Sequence, residues 1–210
     1  MKLIYRPTEE RDLSECVCLV LHGLSTERGA NRLFEVWRSL RQQGAFNSAV
    51  MEDQERPLGE RLVHFGASVF VTDEFVQEAR THPQPCLSEV VLDRSLAGQS
   101  PTLDAAAIRR ANTGNGLNVF VLHTGIAAHL RPDERQAIIA RGPDTFFLVH
   151  QGFSLKEILL QFPDTEDQQF AMASGFQVRS QAMGLFGLTR AEAHASPGAY
   201  ASRLFLCEPP

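Results

Sequence analysis

Long hydrophobic runs are missing from this chain. Residues 16–21 make an apolar stretch of only six, far short of the roughly 20 that a membrane helix needs. The N-terminus shows no charged-then-apolar leader, so a cytoplasmic protein with no membrane partner is expected. An excess of positive charge is missing too. The net charge is -5, which argues against direct binding of nucleic acid by this chain. Cysteine is scarce: Cys16, Cys18, Cys86 and Cys207 give neither a Cys-x-x-Cys pair nor a disulfide framework, and reduced structural thiols are expected. The seven histidines hold no His-x-x-x-His pair and no two-His-plus-carboxylate spacing, so no metal is expected. There is no Walker motif, nucleophile elbow, internal repeat or low-complexity segment. Gly114-x-Gly116 precedes a strand, whereas a dinucleotide loop follows one. His22-Gly23-Leu24-Ser25 ends a helix, the wrong context for an esterase signature.

What remains is an ordinary globular composition, 210 residues with 43% hydrophobic and 21% charged. That suffices for one domain with a real core, in at most two lobes at about residues 1–125 and 126–210. Apolar periodicity and turn signals predict helices over residues 30–43, 87–97 and 132–141, the last ending at Gly142-Pro143, and a short helix through about Ala111 capped by Thr102 or Asp104. Strands are expected over 45–52, 61–71, 117–123, 176–179 and 203–207, the first two as an antiparallel meander. The run 117–123 is nearly continuous in apolar residues, as in a central strand covered on both faces. Gly66, Ala67 and Ser68 mark either a bulge or a close approach to the backbone. Ser154 and Glu157 read as a capping box opening a helix over 155–162, and Thr165 or Asp167 starts another that ends at Gly175. The class is α/β, an α+β mixed sheet with helices on both faces.

The most informative segment is the first. Leu3-Ile4-Tyr5 is a short strand, Arg6-Pro7-Thr8-Glu9-Glu10-Arg11-Asp12 turns, and Leu13, Cys16, Val17, Val20, Leu21 and Leu24 form one apolar helical face. Thr8 is placed to cap that helix, and the acids suit its N-terminal dipole. This strand-to-helix opening resembles the start of the GNAT (acyl-CoA N-acyltransferase) superfamily. The resemblance implies a central mixed, mostly antiparallel sheet, an acyl-CoA or acetyl-CoA cofactor and an amine or other small-molecule substrate. It leaves a homodimer open.

In that family the cofactor's pyrophosphate sits on backbone N–H groups between the central strand and the next helix. The resemblance therefore assigns cofactor binding to Thr124, Gly125 and Ile126. This chain departs from the family's Arg/Gln-x-x-Gly-x-Gly/Ala motif there. It has one glycine, its basic residue is Arg131 beyond that glycine, and Asp133 and Glu134 fill the first turn of the helix, where they repel phosphate. Either the loop is modified or the site is lost. Gln151-Gly152-Phe153-Ser154-Leu155-Lys156 offers a substitute anion site, if a helix follows it. For catalysis, His123 at the end of the central strand is the candidate base and Tyr200 the candidate acid, with His64, Glu52 and Asp53 as weaker candidates.

A second resemblance is scattered over residues 60–210. Phe65-Gly66-Ala67-Ser68, the turn around Asn112 to Gly116 and His150-Gln151-Gly152-Phe153 are similar to uncharacterised bacterial proteins. Some of those look like N-terminal regions of LuxR-type transcriptional regulators. This resemblance implies a non-catalytic module that senses an acyl-CoA or small ligand, its DNA-binding part lying outside this chain.

Overall fold

A computed structural model describes residues 1–21, 27–162, 165–196 and Phe205, the side chains of residues 27, 28, 166 and 170 excepted. In chain order the elements are β1 (Leu3–Pro7), a 3-10 turn (Glu10–Asp12), α1 (Leu13–Val20), α2 (Glu27–Gln42), β2 (Phe46–Asp53), β3 (Leu62–Val71), α3 (Asp73–Thr81), α4 (Leu87–Leu96) and α5 (Ala105–Thr113). They continue with β4 (Leu117–Ile126), α6 (Pro132–Ile139), α7 (Gly142–His150), β5 (Leu155–Gln161), α8 (Thr165–Ala173), β6 (Gln177–Ser180), β7 (Leu185–Thr189) and α9 (Arg190–Ala195). The strands form one seven-stranded sheet in the order β1-β2-β3-β4-β5-β7-β6. β4 and β5 are parallel, while β1–β2, β5–β7 and β6–β7 are antiparallel. The expected mixed, mostly antiparallel sheet is therefore the one found.

The chain divides into two compact units, Met1–Ser68 with His123–His150, and Val69–Leu122 with Gln151–Pro210. In the first unit, Arg6 of β1 explains the opening segment. Its guanidinium donates to both carboxylate oxygens of Asp12, at 2.6 and 3.0 Å, and through Nε to Glu52 at 2.8 Å. One cation thus ties β1, the start of α1 and β2. Thr8 does not cap the helix. Its N–H is taken by the Ser48 carbonyl at 2.9 Å and its hydroxyl is buried without a partner. Asp12 instead reaches back to the Glu9 N–H at 2.7 Å. Trp37 of α2 is fully buried, with Phe46 and Phe65 at ring-centroid distances of 5.7 and 5.0 Å. Phe65 meets α2, while its neighbours His64 and Gly66 meet α7. Alternation along β3 thus puts helices on both faces of this part of the sheet.

In the second unit, Asn112 closes the turn before β4. Its side chain donates to the Gly152 carbonyl at 3.2 Å and accepts the Ser154 N–H at 2.5 Å. Gly116 has φ +85°, and a Cβ there would lie 3.0 Å from the Ser154 carbonyl oxygen, so both conformation and space require glycine.

Several expectations fail here. Residues 155–161 form β5, not a helix, because they pair with β4 on one side and β7 on the other. A short apolar run fits either period, and pairing decides it. Ser154 is therefore no cap: its hydroxyl accepts from Arg190 at 2.9 Å, and its N–H is already used. The anion site expected at residues 151–156 falls with that helix, and Lys156 pairs with Asp73 at 2.5 Å instead. α3, α7 and β7 are among the elements additional to the expected set. α3 is capped by Thr72, whose hydroxyl accepts the Phe75 N–H at 3.2 Å. α7 starts at the Gly142-Pro143 read as a stop, and β7 fills 185–189. β3 runs unbroken through Gly66. The strand expected over 203–207 lies, Phe205 apart, outside the described residues.

Candidate active site

β4 pairs with β5 at Leu117↔Leu155, shifts register there, pairs again from Asn118↔Glu157 to Phe120↔Leu159, and itself continues as far as Ile126. His123 stands in this continuation. Its ring centroid is 5.5 Å from that of Trp37. Burial pushes its pKa down from 6.5 to about 4, so the imidazole is neutral at pH 7. His123 Nδ1 and Trp37 Nε1 are both buried and have no hydrogen-bond partner among the described residues. Buried polar atoms are nearly always satisfied, so two orphans in adjacent rings mark a place where a polar ligand atom or water belongs.

The next segment tests the expected coenzyme A site, and it does not fit a diphosphate. Gly125 is closed by the protein itself, since a Cβ there would lie 2.8 Å from the Leu19 carbonyl carbon. Its missing side chain makes room for α1, not for a phosphate. Three of the amides are spent as well. Ala127 donates to the Val63 carbonyl at 3.0 Å, Leu130 to the Ala127 carbonyl at 3.5 Å, and Arg131 to the Glu134 carboxylate at 3.0 Å. Pro132, the first residue of α6, has no N–H. The other Glu134 oxygen holds Arg56 at 2.8 Å, and Arg56 also holds Asp53 at 3.1 Å. Thr124 is exposed and Ile126 packs against the cluster of Met51, Val63, Ala127, Leu130 and Ile138.

Glu52 and Asp53 are committed to Arg6 and Arg56, which leaves neither free to act as a base. His64 is buried, its pKa also lowered to about 4 by burial, with Nδ1 unpartnered among the described residues. Tyr200 lies outside the described residues, as does the segment 22–25. One pair was not foreseen. Ser68 Oγ lies 3.0 Å from His150 Nε2, and His150 Nδ1 lies 2.7 Å from the Phe146 carbonyl. The carbonyl only accepts, so Nδ1 carries the proton and Nε2 accepts from the serine hydroxyl. Ser68 and His150 are 2% and 5% exposed, which makes this a buried structural pair. The signal for it in the sequence is the alternation of His64, Gly66 and Ser68 on one face of β3. Among the described residues no group of three His, Cys, Asp or Glu is placed to hold a metal ion, and no helix is long and apolar enough to cross a membrane.

No family model matches the sequence, and no curated protein matches it either. Solved structures do match in fold. The C-terminal condensation domain of Ebony, in complex with beta-alanyl-dopamine, has a TM-score of 0.54 at 15% identity over 84% of this chain and 83% of that one. The NatC complex bound to Gag peptide and CoA gives 0.51 at 9% identity, over 90% and 99%. Apo FdhC, a nucleotide-linked sugar GNAT, gives 0.50 at 9% identity, over 96% and 94%. The chain has the GNAT fold, as its opening segment led one to expect. The resemblance to LuxR-type regulators finds no support among the structures named.

Proposed function

We propose that this chain is an N-acyltransferase of the GNAT fold that moves an acyl group from a thioester donor of the acyl-CoA class to a small-molecule amine. The observation that carries this reading is the pair of orphaned polar atoms, His123 Nδ1 and Trp37 Nε1, where β4 runs past its register with β5. In the proposed reaction the amine nitrogen attacks the thioester carbonyl carbon. The C–N bond forms, the C–S bond breaks, the amine gives up one proton and the thiolate takes one. Holding the two reactants together supplies most of the rate. His123, neutral at pH 7, accepts the amine proton, and Tyr200 is proposed as the acid for the thiolate.

The test is thiol release from acetyl-CoA in the presence of a panel of primary amines. Amine-dependent release is expected, with kcat for His123→Gln reduced about a hundredfold and a circular dichroism spectrum like that of the wild type. Absence of amine-dependent release with every donor and amine sinks the reading. A second reading, a non-catalytic small-ligand sensing module, is favoured by the filled N-terminus of α6. It predicts ligand binding, read by calorimetry, without turnover.

A further inference from the structure

We infer that the chain holds its acyl donor by the acyl-thioester end alone, with no diphosphate seated on α6. This rests on the acyltransferase reading for the identity of the donor. Charge, donors and space oppose a diphosphate whatever the donor is. Two guanidiniums, Arg56 and Arg131, face three carboxylates, Asp53, Asp133 and Glu134, with contacts between 2.8 and 3.4 Å. Glu134 occupies the position of a bound anion, bridging the Arg131 N–H at 3.0 Å and Arg56 at 2.8 Å. An incoming diphosphate would meet carboxylates, and the two guanidiniums facing them are already paired. It would also find no free donor at 127, 130, 131 or 132, since three amides are bonded and the fourth residue is proline. Leu19 closes the remaining approach at Gly125.

The nucleotide half of an acyl-CoA then contributes nothing to recognition here. Any thioester carrying the same acyl group on a pantetheine-like thiol serves equally. By contrast, a diphosphate gripped by two charge-assisted hydrogen bonds would tighten binding roughly a hundredfold.

The experiment compares acetyl-CoA with S-acetylpantetheine as donors to the full chain. Values of kcat/KM within about threefold of one another are expected. A preference of about tenfold or more for acetyl-CoA overturns the inference and leaves the acyltransferase reading standing. If neither donor is used, the acyltransferase reading falls, and a nucleotide arm still decides the inference. In that arm, adenosine 3′-phosphate 5′-diphosphate is titrated calorimetrically into wild type and Glu134→Ala. Wild type is expected to give no heat, and the variant, with Arg56 and the Arg131 N–H released, to bind at least about tenfold more tightly. Binding by wild type, or no gain in the variant, overturns the inference. Glu134→Gln, which removes the charge but keeps an acceptor for Arg131, gives the same readout if Glu134→Ala does not fold.

Discussion

Along α7, the first unit buries imidazoles; along β5, the second buries ions. His64 is on β3, His150 ends α7, and His123 lies against Trp37, each neutral because burial lowers its pKa to about 4. In the second unit Glu157 of β5 is almost fully buried between Arg80, at 2.6 Å, and Arg179, at 3.6 Å. Arg179 also holds Glu192 at 2.6 Å, and with the Thr189 N–H and hydroxyl it helps draw the Glu192 carboxyl down to about 2 against the opposing effect of burial. A histidine can meet burial by shedding its proton and needs no partner charge. A carboxylate on a strand paired on both sides keeps its charge only where cations reach it.

Acid is expected to separate the two regions most strongly. An imidazole with a folded pKa of about 4 and an unfolded value near 6.5 binds more protons when unfolded anywhere between those values. Its stabilisation is whole above pH 6.5 and is lost as the pH falls toward 4. Glu192 behaves oppositely in window though not in sign: its contribution is whole above about pH 4.5 and is lost only as the pH falls toward 2. Amide exchange followed from pH 7 to pH 3 is expected to show β3 and α7 losing protection before β5, β7 and α9. Simultaneous loss would erase the contrast.

Glu157→Ala ranks next, at about 3 kcal/mol in urea unfolding, because it removes the buried carboxylate that Arg80 and Arg179 share. Gly125→Ala and Gly187→Ala test space. A Cβ at Gly125 meets Leu19 backbone at 2.8 Å, and one at Gly187 meets Arg179 Nε at 2.7 Å and Glu157 Oε1 at 2.9 Å. Each is expected to cost about 1–3 kcal/mol, with Gly125→Ala the larger because backbone yields less than a side-chain end. Ser68→Ala is the mildest, about 1 kcal/mol for the lost bond to His150. A larger loss from Ser68→Ala than from Glu157→Ala would invert the comparison.

Much of this architecture is legible in the residues. Arg6 and Asp12 lie in the segment that gives the fold away, and of the two caps offered for α5 Asp104 is the one used, accepting the Ala107 N–H at 2.7 Å. His123 was legible as a candidate because it ends an apolar run. β5 was not, since Ile158, Leu159 and Leu160 suit a helix or a strand equally until partners on both sides choose. The acids at Asp133 and Glu134 were legible as hostile to phosphate, but not as partners of Arg56, which lies 78 residues from Glu134 along the chain.

By itself the sequence determined some of the local choices: the Asp104 cap of α5, the turn at Gly114 to Gly116, the apolar face of α2 and a GNAT-type opening segment. These depend on neighbours within a turn or two, so spacing carries them. The tertiary structure alone decided the rest: that Gly125 lies under Leu19, that Glu134 fills the start of α6, and that His123 and Trp37 share an orphaned polar corner. Those facts join residues far apart in the chain, and only packing brings them within hydrogen-bond or van der Waals distance.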